Sequence, residues 1–175
     1  MNADPSSPGV VLVGPPGAGK SSVGRLLASR LGVPFADTDD LVARAAGKPV
    51  GDIFVEDGEN VFRELERAAV SRGLDATGPG GGVLALGSGA ALDPDVRRMI
   101  APRTVVYLEA GFATIAKRTG MDRPRVVVPG NPRGQLRAML DERRPVYAAL
   151  ASVTVSTDGM APEEVAADLA SRLSA

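Results

Sequence analysis

The segment that most constrains this chain is Gly14-Pro15-Pro16-Gly17-Ala18-Gly19-Lys20-Ser21, a match to G-x-x-x-x-G-K-[ST]. The motif carries meaning only between a buried strand and a helix, and both are expected here. Val10–Val13 is a short apolar run between turn formers, and apolar Val23, Leu26 and Leu27 follow the loop at helical spacing. In that setting the glycines let the backbone turn successive N–H groups inward as an anion nest. The start of the helix adds its positive end, Lys20 reaches the β- and γ-phosphates, and Ser21 offers a hydroxyl to Mg²⁺. A nucleoside triphosphate, ATP with Mg²⁺, is the expected ligand.

Further along, apolar runs alternate with helical stripes. Strands are expected at Val33–Ala36, Val83–Leu86, Thr104–Leu108 and Val153–Ser156. Helices are expected at 20–31, 41–46, from Gly58 to Arg72 with Gly73 as the stop, from Asp93-Pro94, at 111–118, 135–150 and 162–173. Pro145 is expected to kink the sixth of these helices or end a turn near its C-terminus. Alternating strands and helices predict an α/β domain with a parallel central sheet, read as one domain over 1–175. Gly120 to Gly134, with three prolines, three glycines and three arginines, reads as a mobile loop.

Composition narrows the chemistry. At 175 residues the chain is one ordinary domain, large enough to hide about 70% of its unfolded surface. Aromatics are only 3%, so the core is expected to be aliphatic. With no Cys, disulfides and thiolate metal sites are excluded; with no His, proton transfer falls to carboxylates. A net charge of −1 advertises neither nucleic acid nor acidic lipid as a partner. No signal peptide or membrane-length apolar run is seen, so a cytoplasmic protein is expected, and no apolar patch demands more than a monomer.

Several polar residues have two readings. Asp37 and Asp39, at i and i+2 past the second strand, suit Mg²⁺ support through water and proton acceptance from an attacking hydroxyl. They equally suit an Asp-rich helix cap. Arg63 is either a ligand-binding arginine or a surface partner of Glu59 or Glu66, and Arg143 and Arg144, just before Pro145, are either ligand-binding or part of a solvated helix face.

Taken together, these pieces resemble the shikimate kinase family along essentially the whole chain. The matching segments are Gly14–Ser22, Asp37-Thr38-Asp39, Gly58-Glu59 with Phe62-Arg63 and Glu66, Gly87-x-Gly89, Arg118-Thr119-Gly120, Arg123-Pro124 and Arg143-x-Pro145-x-Tyr147. The resemblance implies a three-layer P-loop kinase fold with five parallel strands ordered 2-3-1-4-5, helices on both faces, an acceptor-binding region at about 38–72 and a mobile lid at about 119–134. It implies that ATP and shikimate give ADP and shikimate 3-phosphate, on the way to chorismate and the aromatic amino acids.

It also implies residue roles. Gly14, Gly17, Ala18, Gly19, Lys20, Ser21 and Ser22 hold the phosphates, and Arg118 and Pro162 sandwich the adenine. Ser21 and Asp37 serve the metal. Asp39 holds the acceptor hydroxyls and takes the proton. Arg63 and Arg143 clamp the carboxylate, oriented by Glu66, beside Gly87, Ser88 and Gly89. Arg123 is the lid arginine that joins Lys20 and Asp39 in catalysis, with Arg125 close enough for the same part. The chain departs from the family at Ser88, which replaces the middle of three glycines, and at Ser22, which replaces the usual Thr. A gluconate or other sugar-acid kinase, a nucleoside monophosphate kinase and a nucleotide-binding regulatory module with a drifted pocket are the competing readings.

Overall fold

The computed structural model describes residues 9–78, 81–122 and 130–174. Its elements run β1 (Val10–Val13), α1 (Lys20–Leu31), β2 (Phe35–Asp37), α2 (Thr38–Ala46), α3 (Val50–Glu56), α4 (Gly58–Thr77) and β3 (Val83–Ala85). A 3₁₀ turn (Ala90–Leu92) leads to α5 (Pro94–Ile100), β4 (Thr104–Glu109), α6 (Phe112–Arg118), α7 (Pro132–Leu150), β5 (Val153–Ser156) and α8 (Pro162–Leu173). The five strands are all parallel, in the order β2-β3-β1-β4-β5.

Strand periodicity divides the core between two faces. Val10 and Leu12 join Val23 and Leu27 of α1, Ile115 of α6, Leu140 of α7 and Leu169 of α8. Val11 and Val13 point the other way, to Val70 of α4, Val96 of α5 and Tyr147 of α7. Covering both faces is why β1 is a continuous apolar run rather than an alternating one. A third cluster, Val42, Ile53, Phe62 and Ala69, knits α2, α3 and α4 together beside the sheet.

Register brings three connections to one edge. Ala85 of β3 pairs with Leu12 of β1 and with Asp37 of β2. Two residues beyond that row stand Gly14, Asp39 and Gly87, at the carboxyl ends of adjacent strands where α/β sheets bind ligands.

Two sequence expectations need correction. Gly73 does not end α4, which continues to Thr77 and is capped at Gly78. Gly73 is buried where a Cβ would come within 2.5 Å of Leu84 Cδ1, so this glycine permits close helix–sheet packing instead. The second strand is shifted, to Phe35–Asp37, and α2 starts at Thr38, which places Asp39 in a first helical turn rather than on an extended chain. Pro145 lies inside α7, which runs to Leu150 as expected. The carbonyl that loses its donor belongs to the exposed Asp141, where water can take the vacated bond. Helix α3 was not foreseen, although Val50, Ile53 and Phe54 carry its i, i+3, i+4 signature.

Candidate active site

The phosphate loop is built by its backbone. Gly17 and Gly19 have φ of 77° and 92°, which side-chain-bearing residues rarely adopt, and Gly19 is the N-cap of α1. Lys20 Nζ folds back over the loop, donating to the carbonyls of Gly14 at 2.9 Å and Pro15 at 3.0 Å. Surrounding protein lowers the Lys20 pKa to about 8, against the opposing pull of Asp39 and Asp37. Ser21 and Ser22 occupy the first turn of α1, and the Ser21 hydroxyl donates to an Asp37 carboxylate oxygen.

Asp37 serves in both of its sequence readings. It caps α2, accepting from the Asp39 N–H at 2.9 Å with one oxygen, while its other oxygen meets Ser21. Asp39 faces an open cavity and so remains exposed, yet protein crowds its other sides. That desolvation, and secondarily the Asp37 carboxylate, raises its pKa above the usual range. Thr38, between the two acids, is fully buried, and its hydroxyl accepts from the Gly87 N–H at 2.8 Å. This tie between the β2 and β3 connections escaped sequence reasoning, which treated Thr38 as filler in the motif.

Two cavities adjoin here. One, of about 360 Å³, is lined by Gly17, Gly19, Lys20 and Ser21 together with Asp37 and Asp39. The other, of about 240 Å³, is lined by Phe54, Phe62, Arg63, Glu66 and Arg143. Asp39 and Ser88 line both. The second cavity holds the cations expected for an anionic acceptor. Arg63 Nη1 donates to the buried Glu66 at 2.8 Å, with Glu59 at 3.5 Å from the same guanidinium. Burial raises the Glu66 pKa, and Arg63 opposes that shift. Arg63 is thus a surface ion-pair partner and a cavity wall at once.

Two glycines lie at the junction. A Cβ on Gly87 would lie 2.9 Å from an Asp39 oxygen, and one on Gly89 would lie 2.9 Å from Arg63 Nη1. Between them, Ser88 is a bond partner of α7. Its hydroxyl accepts from Arg143 Nη1 at 3.3 Å and its carbonyl accepts from the Tyr147 hydroxyl.

The remaining expected residues are spread wider. Arg118 donates to the carbonyls of Gly17 at 3.1 Å and Thr157 at 2.9 Å, bridging the phosphate loop to the end of β5. Thr157, buried and bonded also to Glu109, is a second support that sequence reasoning missed. Pro162 opens α8, five residues beyond Thr157. Gly14 follows β1 directly, and Ala18 is buried in the core under the loop. Arg123 and Arg125, with the central part of the expected lid, lie outside the described residues; the lid's expected C-terminal end, from Pro132, belongs to α7.

The chain is similar to known proteins along nearly its whole length. A shikimate kinase from Thermobifida fusca is 54% identical over 170 residues, 97% of both chains. The solved shikimate kinase of Acinetobacter baumannii in complex with shikimate superposes with a TM-score of 0.83 at 34% identity, covering 94% of this chain and 91% of that one. A gluconokinase from Sinorhizobium meliloti shares the fold, at a TM-score of 0.60 and 19% identity over 97% of this chain and 93% of its own. The sequence profile described as shikimate kinase spans residues 16–174, and with that the chain stands as a member of the shikimate kinase family.

Proposed function

We propose that this protein transfers the terminal phosphoryl group of ATP to the 3-hydroxyl of shikimate. The observation that carries the reading is the shared wall: Asp39 belongs both to the phosphate-loop cavity and to the cavity holding Arg63 and Arg143. A carboxylate at that junction is within reach of a hydroxyl bound on one side and a phosphoryl group bound on the other.

Each residue then has a distinct task. The loop from Gly14 to Ser22 grips the triphosphate through N–H groups and Lys20, and Arg118 flanks the base with Pro162. Ser21 and Asp37 present hard oxygen donors side by side, a set that fits Mg²⁺. Among the described residues no cluster of three or more His, Cys, Asp or Glu is placed to hold a metal, which suits an ion that takes most of its ligands from water and phosphate. Mg²⁺ would supply charge neutralisation between the phosphates.

Asp39 accepts the proton from the attacking hydroxyl, and its raised pKa makes it a stronger base than an ordinary Asp. Arg63 and Arg143 offer guanidinium forks to the acceptor's carboxylate, while Glu66 fixes the first of them. The family resemblance gives Arg123, outside the described residues, the part of neutralising charge on the transferring group. The acceptor is a small molecule, and no described helix is long and apolar enough to cross a membrane.

A coupled ADP-release assay with shikimate, gluconate and nucleoside monophosphates in parallel tests the assignment. Turnover is expected with shikimate alone. Turnover with gluconate or a nucleotide but not shikimate refutes the acceptor, and ATP binding without turnover favours a regulatory module.

A further inference from the structure

The turn beyond β3 carries one side chain among three consecutive positions. Gly87 lies against Asp39 and Glu66, and Gly89 lies against Arg63, so a Cβ at either place would push on the tips of those side chains. Ser88 instead meets α7 at two points. Arg143 and Tyr147, one helical turn apart on α7, take its hydroxyl and its carbonyl respectively. Tyr147 is wholly buried, and burial pushes its pKa up to about 12, so its hydroxyl remains a donor at any physiological pH. The backbone of Ser88 is therefore fixed in place, which gives its hydroxyl a defined position under the guanidinium.

Arg143 itself is incompletely satisfied. Its Nη1 reaches Ser88, whereas its Nε is buried and has no hydrogen-bond partner among the described residues. A buried donor without an acceptor is destabilising, so the arrangement is one that an incoming acceptor improves. A planar guanidinium presents its donors as forks, and anchoring Nη1 fixes the plane in which the Nε edge lies.

We propose that the Ser88 hydroxyl is a positioning residue for Arg143, which anchors Nη1 and so orients the guanidinium towards the carboxylate of the acceptor. This rests on the shikimate reading above, and it gives the serine that replaces the family's middle glycine a task in substrate choice. A glycine at 88 keeps the carbonyl bond to Tyr147 but leaves Nη1 to water.

The test compares Ser88→Gly, Ser88→Ala and Ser88→Thr with wild type, using shikimate and its methyl ester. Ser88→Gly and Ser88→Ala are expected to raise the shikimate KM about 3- to 10-fold, as for loss of one modest hydrogen bond. The kcat and the KM for ATP should hold, the preference for acid over ester should narrow, and Ser88→Thr, which keeps the hydroxyl, should restore wild-type values. Combined with Arg143→Lys, Ser88→Ala should add less than its separate effect. Unchanged shikimate KM in both hydroxyl-less variants, or full additivity with Arg143→Lys, overturns the proposal. A parallel fall in kcat and rise in both KM values also overturns it, because that pattern marks a general structural role. The same double-mutant cycle, read on the thermal midpoint of the free protein, detects the Ser88–Arg143 coupling without any acceptor. Failure of wild type to use shikimate would thus refute the acceptor assignment separately, while absent coupling in the midpoint refutes the Ser88 contact.

Discussion

The two halves of the site are made from different materials. The phosphate side is one contiguous segment, Gly14 to Ser22, in which positive-φ glycines and a helix start create the binding surface from backbone. The acceptor side is assembled from α2, α3, α4, the turn after β3 and α7, with side chains meeting across 24 to 104 residues of chain (Asp39 to Arg63 and to Arg143). A backbone nest survives substitution of its side chains, whereas a clamp of side chains depends on each partner's packing. On the proposed roles, the first half is generic for triphosphates and the second sets the choice of acceptor.

Lys20→Ala should break this division most clearly. Loss of a preorganised charge at the phosphates is expected to lower phosphoryl transfer by about 10³-fold with any acceptor. The fold should stand, because burial disfavours the charged lysine when no phosphate is present. With its folded pKa lowered from 10.5 to about 8, the ionised group opposes folding below pH 8, and that opposition disappears as the pH rises through 10.5. ADP-release kinetics beside a circular dichroism melt check both halves of the statement; normal turnover in a folded variant would remove Lys20 from the site.

Arg63→Lys should act on one side only. Lysine keeps the charge but loses the fork that meets Glu66 and the acceptor together. The shikimate KM should rise about 10- to 100-fold, with the KM for ATP little changed. A matching rise in the KM for ATP would mean that the two cavities are not separable.

The pH profile of kcat/KM offers the finest comparison, since one limb reports Asp39, shared by both cavities, and the other Lys20 of the phosphate side. Asp39 must be ionised to take a proton, and its carboxyl is raised by burial and then by Asp37. The acid limb should therefore lie above the ordinary Asp range, with activity growing about tenfold per pH unit below it. Lys20 must be charged, so activity should fall above about pH 8. Lys20→Arg should displace the alkaline limb alone; an unmoved limb would assign it to another group.

Sequence alone determined the local features. The phosphate loop, the five strands to within a few residues, and helices at 20–31 and 162–173 follow from glycine chemistry and periodicity, which act within a few residues of chain. Motif resemblance placed Arg63, Asp39 and Arg143 in one site, although residue chemistry by itself allowed each to be a surface group or cap.

Only the tertiary structure decided how those residues are held. That Gly73 lies inside a helix follows from the approach of Leu84, a contact 11 residues away in sequence and on another element. That Thr38 ties down Gly87, that Thr157 braces Arg118, and that Ser88 accepts from Arg143 are all pairings across strands or layers. No local propensity encodes them, because each hydrogen bond exists only after strand register and helix packing have set its two ends within about 3 Å.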